Sequence, residues 1–224
     1  MAIDIYSANN TMKRLIDLNC FNNYERNRLD ELFSLSLFDK SYLDEPKFIH
    51  SDVSDFKYQL VVSADYIMKE SVKKFDQNMA KFVNNIQPLK AFQNICFNDR
   101  IAMIKYGCIE INLLKTCSFY KYEIAGWYLP LREYNNFWVC VPLDTITGLK
   151  NNVISLLSIY LNTFVTEFDS DIHIIELLMP LMLFNPDRPN IINRDVIEQQ
   201  QQLYLYLLRK YLRIKYGNDF DDKN

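Results

Sequence analysis

The stretch Phe97–Glu110, FNDRIAMIKYGCIE, decides how the rest of the chain is read. Apolar residues fall at Phe97, Ile101, Ile104, Cys108 and Ile111, the i, i+4, i+7 spacing of one helical face. That face is expected to pack on a core. Lys105 closes the first apolar run, and Glu110 ends the stretch. A carboxylate set among GCIEINLL is expected to turn inward, where it would be costly to leave unpaired.

Working outward, Pro88 ends the preceding helical pattern, which starts near Tyr58, because it donates no backbone hydrogen bond and disfavours α geometry at Gln87. Further upstream, residues 23–38 read as an amphipathic helix with Leu29, Leu32 and Phe33 inward, followed by a polar connection through Asp55. Downstream, the opening helix is expected to continue to about Trp127. WYLPLREYNNFWVCVP then brings aromatic and β-branched residues, two prolines and an Asn-Asn turn, the pattern of one short hairpin. Helices are predicted near 146–166 and 171–184, the second disturbed by Pro180. NPDRPN is a turn, because Asn185 and Asp187 can bond their own backbone and two prolines block a helix. A last helix of about six turns is expected to start on an Asn193 N-cap. The class is all-α, about eight helices with one β-insertion. Residues 1–22 are an expected N-terminal extension, 23–216 the domain, and 217–224 a polar tail.

Composition narrows the function. Of 224 residues, 49% are hydrophobic and 24% charged, with a net charge of −3 and only four glycines. This lacks the basic footprint of a nucleic-acid binder. No run approaches the roughly 20 apolar residues that span a membrane, and MAIDIYSANNTMKRL lacks the apolar region of a secretory signal. Five cysteines without a CxxC pair fit reduced thiols in an intracellular compartment rather than a zinc module. His50 and His173 are distant from each other and read as having no Cys or Glu at ligand spacing, so no metal or cofactor is called for. Ser, His and Asp occur without a nucleophile elbow, which argues against an enzyme. The run QLYLYLLRKYLRIKY could be an aromatic-basic nucleic-acid surface. At helical spacing it reads better as one buried aromatic face and one solvated basic face.

FVNNIQPLKAFQNICFNDRIAMIKYGCIE, Phe82–Glu110, resembles the signature of nuclear receptor ligand-binding domains, with Phe92, Asp99, Ile104, Lys105 and Glu110 at matching positions. The hairpin after Trp127, the LFNPDRPNI turn and the long helix NRDVIEQQQQLYLYLLRKYL follow in the same order. YGCIE, the Trp of AGW and the spacing in YLYLLRKYL are most similar to the group joining the vitamin D receptor, the nematode dauer-formation receptor and the arthropod hormone-receptor-like-in-96 proteins. The resemblance covers about residues 23–216.

The resemblance implies an all-α ligand-binding-domain sandwich with one hairpin, lacking its last helices. It implies that Lys105 holds the C-terminal carbonyls of a coregulator's short helix, at a groove that takes its leucines. Gln87 and Arg100 replace the lysine and glutamine usual in that groove, and the opposing glutamate would lie on a helix beyond this chain, so docking is expected to be weakened. It pairs Glu110 with Arg188 in an internal salt bridge. It places Lys115 where a ligand-anchoring arginine stands, keeping the charge but losing the fork. Trp127 matches a pocket-wall tryptophan, and Asn78 and Met79 match pocket-facing positions; for each, ordinary packing is the competing reading.

The expected function is therefore binding of a small hydrophobic molecule, sterol-, lipid- or xenobiotic-like, in a transcription regulator without autonomous activation. A nuclear location is expected, with the cytoplasm also open. Direct DNA or membrane binding is not expected, and a retinoid-type heterodimer partner is expected to bind weakly or not at all. Two alternatives stay open: a stand-alone carrier or sink for hydrophobic ligands, and a ligand-independent protein that titrates cofactors or partner receptors.

Overall fold

The structure, a computed structural model, describes residues 20–35, 37, 64–131, 137–145, 151–167 and 171–217. The N-terminal extension before Cys20, most of the polar connection, the Asn-Asn turn and the polar tail beyond Gly217 lie outside the described residues. Seven α-helices and one two-stranded sheet are found among the described residues. They are α1 (Asn23–Ser34), α2 (Ala64–Ile86), α3 (Lys90–Gln93), α4 (Phe97–Ser118), α5 (Asn151–Glu167), α6 (Ile172–Leu183) and α7 (Arg194–Tyr216), with β1 (Gly126–Leu131) and β2 (Phe137–Pro142) between α4 and α5. The chain divides into two compact units.

The first unit contains α2 as far as Gln77 and the segment Thr116–Asp169. Its hairpin is antiparallel, with Gly126 opposite Pro142, Trp127 opposite Val141 and Leu131 opposite Phe137. The helix expected to reach Trp127 instead stops at Ser118. A 3-10 turn, Tyr122–Ile124, and a left-handed Ala125 (φ 45°) follow, reversing the chain into β1. Glycine is required next, since a Cβ on Gly126 would lie 2.3 Å from the Val141 carbonyl oxygen. The hairpin's close approach, rather than helical periodicity, sets where α4 ends.

The second unit contains α1, the segment Asn78–Lys115 and the chain from Ser170. α1 begins with a capping box: the Glu25 N–H donates to Asn22 Oδ1 at 2.9 Å, and the Asn22 N–H donates to Glu25 Oε2 at 2.7 Å. It buries Leu29 and Leu32, at about 1.5–3 kcal/mol for each such side chain. α6 is buried almost all round, as an apolar helix enclosed by neighbours must be, and it packs on α7. It continues only three residues past Pro180 and ends at Leu183. α7 buries Ile197, Tyr204, Leu207, Leu208 and Tyr211 on one face, with Phe184 stacked on Tyr204 at 5.7 Å. Arg209 and Arg213 are exposed, and so, at 49%, is Tyr206.

Two expectations are corrected here. Of the α4 face read as core-directed only Ile111 is buried: Phe97 and Ile101 are 66% and 48% exposed, and Ile104 and Cys108 are half-buried. The buried residues are Asp99, Ala102, Met103, Gly107, Ile111, Leu114, Cys117 and Ser118. α4 is apolar on several sides, so periodicity alone could not choose between them. Asn193 does occupy the N-cap position of α7, but its side chain makes no cap bond. Its Nδ2 donates instead to Cys96 Sγ at 3.4 Å.

Candidate functional site

In the first unit, Trp127 is the centre of a buried cluster with Cys117, Tyr120, Leu143 and Leu161, against which Phe119, Ile154, Leu157 and Phe164 pack. The register of β1 carries the indole inward, where it is 8% exposed. Its Nε1–H donates to the Thr116 carbonyl at 2.9 Å, and its ring meets Tyr120 edge-on at 5.4 Å. Burial raises the Cys117 thiol to about 12, despite a bond from the Tyr160 hydroxyl, so it stays a neutral core group. All five cysteines are free of disulfides.

In the second unit, Lys115 is half-buried, with its Nζ 5.2 Å above the Phe82 ring. Phe82 lies four residues on from Asn78 and three on from Met79, both half-buried on α2, so the lysine is drawn to the same helix as these two. Lys105 is exposed beside the exposed Phe97 and Ile101, its Nζ 5.2 Å from the Tyr106 ring. Gln87 is exposed just past α2. Arg100 is half-buried, its guanidinium 5.8 Å from Phe92 and 5.9 Å from Phe97.

Glu110 and Arg188 form a two-pronged pair: Arg188 Nη1 donates to Glu110 Oε1 at 2.7 Å, and Nη2 donates to Oε2 and to the Met182 carbonyl. The inward carboxylate expected from the sequence is corrected. The Glu110 side chain is 49% exposed, whereas Arg188 is only 10% exposed. The guanidinium is the enclosed partner, because it also binds the end of α6. The Arg188 guanidinium holds the Glu110 carboxyl below its ordinary value. With one partner in solvent, Glu110→Ala is expected to cost only about 1 kcal/mol in chemical denaturation, not the substantial loss an inward carboxylate would give.

Three buried carboxylates went unread as anchors. Asp99, fully buried, accepts the Ile192 and Asn193 backbone N–H groups at 2.7 and 2.9 Å, tying the start of α4 to the start of α7. Glu25, 3% exposed, accepts Tyr206 Oη at 2.6 Å and Lys210 Nζ at 2.7 and 2.9 Å. Asp171, 2% exposed, caps α6 and accepts from Tyr211 and Lys215. Local signals existed for two of them: the Asn22-x-x-Glu25 box, and an Asp placed just before an apolar helical run. The expectation that His173 has no Cys or Glu at ligand spacing is corrected. In fact Glu176, one turn on, lies 2.9 Å from its Nδ1, and both are buried. Among the described residues no group of three or more His, Cys, Asp or Glu is placed to hold a metal, and no helix is long and apolar enough to cross a membrane.

The carboxylates predict an acid response. Burial opposes ionisation of Glu25 and Asp99, but their hydrogen-bond donors outweigh it and hold both carboxyls below their ordinary values. Folded, they bind protons less readily than unfolded. Their stabilisation is therefore present above the unfolded-state values, near 4, and is lost as pH falls through the lower folded ones. Unfolding midpoints are expected to drop from about pH 5 downward. Glu25→Gln should start less stable and lose less over that window; an unchanged acid slope in that variant would count against the assignment.

No protein-family profile matches the chain. The chain is similar to the nuclear hormone receptor HR96 of Drosophila melanogaster, 27% identical over 137 residues. That match takes in 61% of this chain and 19% of the relative, so the chain spans about a fifth of the relative's length. With a helical architecture interrupted by one hairpin, the likeness supports a nuclear receptor-like domain.

Proposed function

We propose that this chain is a ligand-binding domain of nuclear receptor type that takes up a small hydrophobic molecule and acts as a non-enzymatic regulator. The observation that carries the reading is the likeness to a nuclear hormone receptor in a chain that is helical but for one hairpin. The aromatic cluster around Trp127 supports it, because rigid rings offer a flat apolar surface to a ring-bearing ligand. Trp127, Lys115, Asn78 and Met79 are proposed individually as ligand contacts, with Lys115 the cation for a polar end. On α4, exposed Phe97, Ile101 and Lys105 at i, i+4, i+8 support a coregulator-peptide surface, with Gln87 and Arg100 as its further members. Glu110 and Arg188 keep a structural role. A nuclear location follows from the same reading.

The test is native mass spectrometry of the protein purified from eukaryotic cells. A retained lipid-like mass is expected. A consistently empty domain would overturn the reading and favour the protein that titrates cofactors without ligand. Receptor and carrier are then separated by whether the loaded domain changes transcription when tethered to a promoter.

A further inference from the structure

Tyr120 is 4% exposed, and its hydroxyl is buried without a hydrogen-bond partner. Such an atom is uncommon, because stripping water from a hydroxyl without replacement costs about as much as a lost hydrogen bond. The polar groups beside it are occupied: Trp127 Nε1–H is given to the Thr116 carbonyl, and the Cys117 thiol is bonded with Tyr160. The remaining neighbours, Leu143, Leu161, Phe119 and Phe164, offer nothing polar from their side chains. Two other buried tyrosine hydroxyls without a partner, Tyr204 and Tyr216, sit near charges: Tyr204 feels Glu31 and Arg28, and Lys215 lies 4.9 Å from the Tyr216 ring. Among the described residues with such a hydroxyl, Tyr120 is the one that belongs to the cluster around Trp127.

We propose that the Tyr120 hydroxyl donates a hydrogen bond to the carbonyl oxygen of a neutral, ring-bearing apolar ligand seated against Trp127. This rests on the ligand-binding reading above and adds the functional group the ligand carries. Burial, and then the neighbouring Tyr122, push the Tyr120 phenol above its ordinary value, so it is a neutral donor. An anionic acceptor would itself have to be desolvated in the cluster, which a carbonyl avoids. The rings of Trp127, Tyr120 and Phe164 suit a flat partner better than a flexible chain.

The experiment compares the wild-type chain with Tyr120→Phe, which keeps the ring packed on Trp127 and removes only the hydroxyl. The probes are benzophenone and diphenylmethane, nearly alike in shape, of which only the first has a carbonyl. Wild type is expected to bind benzophenone about 10-fold more tightly, the worth of one hydrogen bond. In Tyr120→Phe the two affinities should converge on that of diphenylmethane, while the ligand-free melting temperature rises because an unsatisfied group has gone. This opposition of signs separates a ligand donor from a structural tyrosine. A lower ligand-free melting temperature, or equal affinities in wild type left unchanged by the substitution, overturns the assignment and leaves ligand binding standing. Failure of both probes to bind wild type overturns both readings.

Discussion

Asp171→Ala is expected to lower unfolding stability by about 3–5 kcal/mol, the usual cost of removing one member of a buried charged pair. Three donors on two helices depend on this carboxylate. Its Oδ1 accepts the His173 N–H at 3.0 Å, which caps α6. Its Oδ2 accepts both the Tyr211 hydroxyl and Lys215 Nζ at 2.6 Å, which fixes α7. Alanine would strand a lysine whose side chain is 19% exposed and a fully buried phenol. The cap alone is worth about 1 kcal/mol, so most of the loss should come from the stranded groups. Asp171→Asn separates these terms, because the amide oxygen can still cap α6 but carries no charge for Lys215. It should fall between wild type and alanine in urea denaturation. A loss below about 1 kcal/mol for alanine would show that water reaches Lys215 and that the network carries little.

How much of this was legible in the sequence depends on the range over which each signal acts. Pro88, the hairpin's aromatic and β-branched residues and the NPDRPN turn are local punctuation, and the elements begin and end close to them. The Asn185 side chain does accept the Asp187 N–H at 2.9 Å. α4 was harder, because apolar residues at Phe97, Ile101, Met103, Ile109, Ile111 and Leu113 surround the helix. Which of them is buried depends on what packs there, and Ile109 and Leu113 prove to be 68% and 41% exposed. The carboxylates were harder still. Glu25 meets Lys210 across 185 residues and Asp99 meets Asn193 across 94. Nothing in a local window marks Asp99 as an anchor, and the Asn22-x-x-Glu25 box marks Glu25 as a cap but not as the partner of Lys210. The Tyr120 hydroxyl left no trace in sequence at all, since an unmatched donor is defined only by its neighbours.

The inward-facing polar groups also show how work is divided within each unit. In the second unit Asp99, Glu25 and Asp171 are saturated by donors from the same unit, so they stabilise and offer nothing to a ligand. Saturation of this kind leaves recognition to groups with spare capacity. By that criterion the indole N–H of Trp127 is excluded as a ligand contact, because it is committed to Thr116.

What remains to a ligand at Trp127 is the ring, and this makes the second large prediction specific. Trp127→Ala is expected to cost about 3–5 kcal/mol, because it empties the aromatic cluster and takes one of two donors from the Thr116 carbonyl, which keeps the Phe119 N–H at 3.2 Å. Trp127→Phe removes the donor but keeps an aromatic surface, so it should cost nearer 1–2 kcal/mol. Ligand binding should separate the two further. A probe at 100 times its dissociation constant stabilises the native state by about 2.7 kcal/mol. With benzophenone at such a concentration, the phenylalanine variant should keep most of that increment, since only the ring is in play. The alanine variant should lose it. If phenylalanine abolished the increment as fully as alanine, the indole N–H would have to be what the ligand needs, and its bond to Thr116 could not persist in the bound state.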